Sequence, residues 1–488
     1  MENVLLECFL WVVLLVITGA QTQPLRHSIT VYPQVFEDRE DDSKKLLVIH
    51  EGYSLKLSKG SVLSDIVLLR ELTETGVKET YIDGRQYEKD LYQDAKTQAS
   101  LLVQPQAAGH YHIVGLINST HLIEPIGKLE RSSVSGTAHR IKAIPLNKGI
   151  NGVLEANQDN AYIEARASKP ATTSLSRNFT IEIMLLCDFY HASHFRTKPA
   201  MRVQYIKVFM QAVSLRFQQL SPPGSIAITT IQSSLTAGES YVQLYSKNEL
   251  LGTQTLEKLA KFAKNNHAGR SADVVFLLTA RDLVQYRSST TTTQVTKDHV
   301  GLAYLGAACE YYKVGVGVDK PGLYSAVHTV AHELGHLLNA THDGEDYSTR
   351  CSQDLENLMH THVGGRENFR FSSCSSISIR EFLKSKSANC LKHITNHRMF
   401  QVPYGVLRQK APFLNGTDYC QLFFPDYRKV FYSGPNPPIN SCHFKCKFGD
   451  SARYMREANL IVPDGTPCKK YISEMECYYG LCTQRKQT

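Results

Sequence analysis

The sequence predicts an α/β sandwich with a mixed, largely parallel sheet and one long helix, between a β-rich segment and a small disulfide-rich domain. Three observations support this fold class. Apolar strand runs alternate with helical patterns from position 178 onward, which is typical of parallel sheets. The preceding segment has short strand-like runs and no cysteine. The end of the chain crowds six cysteines between positions 420 and 482, which indicates disulfides in an oxidising compartment.

The first residues, MENVLLECFLWVVLLVITGA, form an apolar run that ends in small residues, which indicates a secretory signal peptide over 1–20. An N-terminal membrane anchor is the alternative, because no lysine or arginine precedes the apolar run. No later run is long enough to span a bilayer. We therefore expect a secreted, extracellular protein without a membrane span.

Composition narrows the class of function. The 488 residues exceed one domain of about 150 residues, and 42% hydrophobic content is enough for buried cores. The formal charge of +8 is not gathered in a basic run interleaved with aromatic residues, so binding to nucleic acid is not predicted.

Residues 21–177 are cysteine-free and contain strand-like runs such as KKLLVIH and SLLVQ. The segment ends in ARASKPATTSLSR, which has no periodicity and is predicted to be a linker. Regular structure then begins, with buried strands and amphipathic helices in alternation. The predicted elements are FTIEIMLLC, the helix AMRVQYIKVFMQAVSLRFQQL, SIAITTIQ, the helix TLEKLAKFAKNN, ADVVFLLTA, GLAYLGAAC, YKVGVGV and the long helix LYSAVHTVAHELGHLL.

The long helix carries a histidine pair. His332 and His336 lie one turn apart, so both side chains point to one face and can share a metal ion. Glu333 is adjacent, so its carboxylate reaches a water on that metal instead of the metal itself. His342 follows the end of the helix. If the chain turns back toward His332 and His336, His342 supplies a third nitrogen ligand. Three protein ligands with one open position are what catalytic zinc needs.

A solvated, histidine-rich helix face is the alternative to a metal site, and the third histidine favours the metal. His328 also lies one turn from His332. Only the pair His332 and His336 has a correctly placed glutamate and a further histidine downstream. His328 is therefore predicted to be a satisfied polar side chain of the helix.

The stretch HELGHLLNATHD resembles the long zinc motif of the metzincins, HExxHxxGxxH. The following aspartate resembles the reprolysin or adamalysin branch, which includes snake-venom metalloproteinases, ADAM and ADAMTS enzymes, and tick salivary metalloproteases. ENLMH carries Met359 where that family has its Met-turn, FRFSSCSS is similar to the next segment, and GLAYLGAAC is similar to the edge strand that binds peptides. The similarity covers 178 to 395, and the layout resembles the tick proteins most.

Two positions depart from the family pattern. Position 339 is asparagine instead of glycine. Asparagine is the residue next most tolerant of a left-handed backbone, so we predict that Asn339 ends the helix and turns the chain back toward the metal. After Met359, the stretch HTHVGG lacks the proline of many relatives, which leaves the preferred substrate side chain open.

The resemblance implies a propeptide at 21–177, a zinc metalloprotease domain at 178–395 and a disintegrin-like or cysteine-rich domain at 396–488. It implies a secreted zinc endopeptidase made as a zymogen, with Glu333 as the base and protein or peptide substrates. The tick-like layout suggests host matrix or plasma clotting proteins as partners of the last domain. A catalytically weak or inactive binding protein that acts through this tail is the alternative.

The resemblance also implies structural sites. Its disulfides would be Cys309–Cys390 and Cys351–Cys374, which leaves Cys187 as a core thiol, while the six tail cysteines allow fifteen connectivities. Two interpretations of Glu182 and Asp273 stay open: calcium ligands together with the Cys390 carbonyl, or two surface carboxylates without a metal. Candidate glycosylation sites are Asn118, Asn178 and Asn415.

Overall fold

The structure is a computed structural model that describes 28–154, 176–392 and parts of 417–484. Within these ranges it leaves out 39, 42, 107–108, 127–136, 146, 148, 197–198, 289–292, 363–367, 418–419, 422–423, 425–426, 434–442, 450, 452–454, 462–474 and 479–480. The predicted signal peptide, most of the linker, and Asn415 therefore lie outside the described residues. Among the described residues, no helix combines the length and apolar character needed to cross a membrane.

The N-terminal segment is β-rich. Its elements are β1 (Ile29–Val31), β2 (Gln34–Glu37), β3 (Lys44–His50), β4 (Tyr53–Lys59), β5 (Leu63–Thr73), β6 (Gly76–Asp83), helix α1 (Gly84–Tyr87), β7 (Leu91–Asp94), β8 (Ala99–Pro105), β9 (Tyr111–Leu116), β10 (His121–Pro125), β11 (His139–Ala143) and β12 (Ile150–Leu154). Nine strands form one antiparallel sheet in the order β1-β11-β10-β9-β8-β7-β4-β3-β2. Alternate residues of these strands, such as Leu47 and Ile49, are buried in a core of their own.

The central region contains a mixed sheet between helices. Its elements are β13 (Phe179–Cys187), α2 (Phe189–Ser193), α3 (Pro199–Phe217), β14 (Gly224–Ser234), β15 (Leu244–Ser246), β16 (Glu249–Leu251), α4 (Gly252–Asn265), α5 (His267–Ser271), β17 (Val274–Thr279), β18 (Asp282–Ser288), β19 (Thr293–Tyr304), β20 (Val314–Val318), α6 (Val327–Leu337) and α7 (Ser373–Lys384). Strands β14, β13, β17 and β20 run parallel, whereas β18, β19 and β20 pair antiparallel. The mixed sheet, parallel at its centre, agrees with the predicted class.

Two N-terminal strands leave their own sheet and extend the central one. Strand β5 pairs in parallel with β14, and β6 continues the sheet as the other half of a hairpin. The tail contributes β21 (Lys429–Tyr432), β22 (His443–Gly449), β23 (Arg456–Ile461), β24 (Met475–Tyr478) and β25 (Leu481–Gln484). Because β23 pairs with β6, the hairpin joins the central region to the tail. The sequence pattern does not predict this shared sheet.

The strand GLAYLGAAC was expected to offer an exposed edge, but this edge is covered in the uncut chain. Residues 299–304 of β19 pair in parallel with β12, and residues 301–303 pair with β20 on the other side. The physical reason is that the N-terminal segment satisfies the free backbone groups of this edge with a strand of its own.

Candidate metal centre

Helix α6 and the turn after it bring three imidazoles together. The Nε2 atoms of His332 and His336 are 2.9 Å apart, and those of His336 and His342 are 3.2 Å apart. All three side chains are buried. Burial, together with the neighbouring His342, lowers the pKa of His336 to about 3, so the ring is neutral at physiological pH.

The outer nitrogen of each ring has an acceptor. His332 Nδ1 donates to the Leu358 carbonyl at 2.7 Å, and His336 Nδ1 donates to the Ala340 carbonyl at 2.8 Å. His342 Nδ1 donates to Glu345 Oε2 at 3.1 Å. With the proton held at Nδ1, each Nε2 directs a bare lone pair at the other two.

Three converging lone pairs fit a cation. Zinc–nitrogen bonds of about 2.0–2.1 Å in tetrahedral geometry place ligand nitrogens about 3.3 Å apart, close to the two separations found here. Hydrogen-bonded outer nitrogens are also typical of zinc-binding histidines. The residues therefore fit a zinc ion with three protein ligands.

Glu333 lies beside the triad on the same helix and is fully buried. Neither of its carboxylate oxygens has a hydrogen-bond partner among the described residues. Burial raises the pKa of this carboxyl well above its usual value, and a divalent cation nearby would favour the charged form. A Cβ on Gly301 of β19 would lie 2.4 Å from Glu333 Oε1, so the glycine leaves room for the carboxylate at the sheet edge.

Asn339 adopts the left-handed conformation predicted for it, with φ of +73°. The Ala340 amide donates to the Gly335 carbonyl at 3.0 Å, and the Asn339 amide donates to the His336 carbonyl at 2.8 Å. These two hydrogen bonds are those of a Schellman motif, which ends a helix and reverses the chain. The reversal brings His342 back to the two helical histidines.

We predict that Asn339→Gly is tolerated and that Asn339→Val destabilises the turn. The left-handed backbone strains a β-branched residue by about 1–2 kcal/mol, whereas glycine adopts it without strain. Urea unfolding and zinc analysis of both variants would measure the effect. Equal stability and zinc content of the two variants would show that the turn does not depend on this conformation.

We also predict that the sequon beginning at Asn339 carries no glycan, which peptide mapping would check.

Met359 lies beneath the helix, as the resemblance implies. It is fully buried, and a Cβ on Gly335 would come within 2.7 Å of its sulfur. The Met359 carbonyl accepts from the Asp343 amide at 3.1 Å. Asp343 Oδ1 accepts from the hydroxyls of Ser372 and Ser375 at 2.6 and 3.2 Å. The methionine turn is thus tied to the chain that carries the third histidine and to the start of α7.

The zinc helix begins at Val327, four residues later than the apolar pattern predicts. Tyr324 has φ of +56°, which interrupts the helical backbone before it can start. Asp319 Oδ1 accepts from the Ser325 hydroxyl at 3.1 Å and the Ala326 amide at 3.2 Å, which positions the first turn. The sequence pattern misses Asp319 because its partners become apparent only in the folded chain.

His328 and the cysteines of the described residues lie outside the three-histidine site. His328 Nδ1 donates to the Asn368 carbonyl at 2.9 Å, outside the triad. The two catalytic-region disulfides are Cys309–Cys390 and Cys351–Cys374, the pairs that the resemblance implies. Cys187 is a buried free thiol, and Cys420 pairs with Cys446 in the tail.

Glu182 and Asp273 are buried, so the interpretation as surface carboxylates is wrong. Asp273 Oδ2 accepts from the Glu182 amide at 2.9 Å, and Asp273 lies close to the disulfide of Cys390. Burial raises the pKa of Asp273 to about 7, and the Glu182 charge contributes. The strand positions explain this proximity, since β13 and β17 are parallel neighbours.

The candidate glycosylation sites differ in their surroundings. Asn178 is exposed. The side chain of Asn118 is engaged, because its Oδ1 accepts from the Thr120 amide at 2.9 Å and the His121 amide at 2.8 Å. Its Nδ2 donates to the Tyr53 hydroxyl at 3.3 Å, a contact that a glycan on this nitrogen would replace.

The chain is similar to known metalloproteases. Residues 247–394 match the model of the Reprolysin (M12B) family zinc metalloprotease. Venom metalloproteinase BumaMPs1 of Olivierus martensii is 24% identical over 400 residues, which cover 78% of this chain and 96% of that protein. Venom metalloproteinase 3 of Eulophus pennicornis is 25% identical over 333 residues, 64% of this chain and 75% of that protein. A disintegrin and metalloproteinase with thrombospondin motifs 19 of Mus musculus is 24% identical over 279 residues, 53% of this chain and 22% of that protein.

Proposed function

Since this chain is a reprolysin-type metzincin and a metalloendopeptidase, we propose that it is secreted as a latent precursor that cuts extracellular proteins after loss of residues 21–177. The observation that carries the catalytic part is the convergence of three neutral imidazoles beside an unpartnered carboxylate. In this proposal His332, His336 and His342 hold the metal and Glu333 is the base. The presence of all four residues disfavours an inactive binding protein.

The proposed reaction is peptide hydrolysis. A zinc ion held by His332, His336 and His342 would lower the pKa of a water molecule and polarise a carbonyl group. Glu333 accepts a proton from the attacking water and passes it to the leaving amine. Once β12 has left, the backbone of 301–304 can pair with an extended substrate and position its carbonyl near Glu333.

The contact between the N-terminal segment and α3 supports removal of that segment. Lys207 forms an ion pair with Asp90 at 2.6 Å, and Arg202 forms one with Glu71 at 2.8 Å. Interfaces with many polar pairs are typical of partners that also exist apart. Both surfaces can therefore be hydrated after separation. The cut position, which we place at Arg177, follows only from the start of regular structure at 178.

The tail is proposed to bind substrate outside the catalytic cleft. Its Phe424 and Phe448 rings stack 3.8 Å apart, and Tyr81 of β6 packs edge-on against both. Loss of the N-terminal segment would uncover this aromatic pair, and exposed aromatic pairs are common in binding surfaces. We propose matrix or plasma clotting proteins of a host as the substrates. A passive stabilising cap is the alternative role of this tail.

Calcium is proposed as a structural ion near Glu182, Asp273 and the Cys390 carbonyl. Both carboxyl groups are buried, and the positive charge of Lys313 only partly offsets the effect of burial on the pKa of Asp273. Oxygen ligands suit calcium. Calcium titration followed by thermal unfolding would test it, with Asp273→Asn as the comparison.

The experiment that tests the catalytic proposal combines metal analysis with a peptide library. The activated protein should contain one zinc and cut library peptides at sites that mass spectrometry can map. A chelator should abolish cleavage, and added zinc should restore it. The same samples should lose zinc only on strong acidification, because burial lowers the pKa of His336 to about 3 and protons compete with the metal only near that pH. A zinc-free protein that still cuts would refute the metalloprotease mechanism.

We predict that thiol-modifying mercurials do not activate the precursor, because residues 21–186 contain no cysteine that could block the metal. Cleavage of a fluorogenic peptide before and after reagent would measure this. Cys187→Ser serves as the control, since this free thiol is buried in β13. Activation of both proteins by the reagent, without cutting of the chain, would contradict the prediction.

A further inference from the structure

Strand β12 lies in the catalytic cleft and is held from both sides. On one side, residues 150–154 pair in parallel with β19, and the Leu305 amide donates to the Leu154 carbonyl at 2.9 Å. On the other side, the Asn151 amide donates to the Thr361 carbonyl at 3.0 Å, and Ile150 forms an antiparallel bridge with His362. Residues 361 and 362 follow the methionine turn. The segment thus bridges the two walls of the cleft above the zinc helix.

The register fixes where the Asn151 side chain points. Asn151 pairs with Gly301, and directly paired residues of neighbouring strands project to the same face of a sheet. A Cβ on Gly301 would lie 2.4 Å from Glu333 Oε1 and 2.5 Å from Thr329 Cγ2. The Asn151 side chain therefore projects toward α6, at the level of the catalytic glutamate. Strand β12 is also in contact with that helix.

The Asn151 carboxamide is an exception among buried polar groups. The residue is 0% exposed, and neither Oδ1 nor Nδ2 has a hydrogen-bond partner among the described residues. An unsatisfied buried amide costs about 1–3 kcal/mol, so such a group usually has a further role. The register through Gly301 directs this amide toward Glu333, the neighbour of the ligand His332 on the same helix. A zinc ion held by three histidine nitrogens leaves one position for a further ligand.

We propose that Asn151 supplies a carboxamide oxygen as a fourth metal ligand in the uncut chain, so that β12 closes the site against water and substrate. The inference rests on the proposed zinc function and gives a molecular basis for latency without a cysteine. An amide oxygen is neutral and binds zinc more weakly than a thiolate. The strand pairing therefore supplies most of the closure, and cutting the chain after 154 allows β12 to leave.

The neighbouring glycine permits the close fit. A Cβ on Gly152 would lie 2.7 Å from Leu302 Cδ1 and 3.1 Å from His299 Cδ2. Any larger residue would push β12 away from β19. Gly152→Val should therefore open the cleft without removing the amide, whereas Asn151→Leu should remove the amide and keep the strand.

The test uses the full uncut chain with cobalt(II) in place of zinc. Cobalt reports its ligands by visible absorption. The wild type and Val153→Ala, a control in the same strand, should give one spectrum, and Asn151→Leu should give a shifted one. Asn151→Leu should also release metal faster to a chromogenic chelator, and the uncut variant should cut a peptide substrate that the wild type does not.

Asn151→Leu separates this role from a structural one. If the amide only fills space, a leucine of similar size should leave the cobalt spectrum unchanged and stabilise the fold, since an unsatisfied polar group is lost. That result would overturn the inference while the zinc site stands. Asn151→Asp, which keeps the shape, should retain the metal more tightly, and an unchanged release rate would also count against the ligand. A wild type that binds no cobalt would refute the proposed zinc function itself.

Discussion

Glu333→Ala is expected to abolish peptide cleavage while the protein keeps its zinc. The Glu333 carboxylate lies next to the three histidines but is not one of the metal ligands. Its loss therefore leaves all three ligands in place. Removal of a general base lowers the rate by about 10²–10⁴-fold. Cleavage of a mapped library peptide and elemental analysis of the activated variant would measure both effects.

A second carboxylate near the site provides the matched control. Glu345 accepts from His342 Nδ1 and is half-exposed, so it orients a ligand and does not face the substrate. Glu345→Gln should lower zinc affinity by about 10–100-fold and recover activity in excess zinc. Excess zinc should not rescue Glu333→Ala. Normal cleavage by Glu333→Ala, or rescue of it by zinc, would show that another group is the base.

The metal-binding and catalytic residues of the helix could be predicted from the sequence because they lie within two turns of each other. His332, Glu333 and His336 are placed by the helical period alone, so the spacing fixes their common face before any tertiary contact is known. The turn at Asn339 is similar, since a left-handed backbone is a property of one residue and its side chain. For these residues the geometry found in the structure is the one that the sequence predicts.

The closure of the site could not be predicted because it depends on contacts between distant segments. The stretch INGVL carries no motif, and its pairing with β19 becomes apparent only when both strands are placed. The β5–β6 hairpin has an ordinary strand pattern, and which sheet it joins depends on packing against β14. Asn151 likewise attracts attention only once its burial and lack of partners are known.

Asp90→Ala is expected to destabilise the uncut chain by about 3–5 kcal/mol, the usual cost of leaving one member of a buried ion pair alone. Lys207 is 0% exposed, and its Nζ contacts Asp90 Oδ1 at 2.6 Å and the Tyr87 carbonyl. Burial already lowers the pKa of Lys207, and Asp90 opposes that effect. Neutralising the lysine at pH 7 instead would cost about 4.6 kcal/mol, which excludes a loss at the upper end of this range. The shift of the urea midpoint would measure it.

The dependence on pH and a double variant make this last prediction specific. In Asp90→Ala the folded pKa of Lys207 falls further below its unfolded value of about 10.4, so the deficit relative to the wild type is largest below the folded pKa of the variant. It disappears as pH rises through the folded pKa of the wild type, which itself lies below the unfolded value. Asp90→Leu with Lys207→Met removes both charges and should recover most of the stability. Lys207→Met in the activated enzyme, where Asp90 has left with the N-terminal segment, should change stability by less than about 0.5 kcal/mol. An equal loss in the precursor and in the activated enzyme would mean that Lys207 stabilises the catalytic domain itself, and that the ion pair does not hold the N-terminal segment on α3.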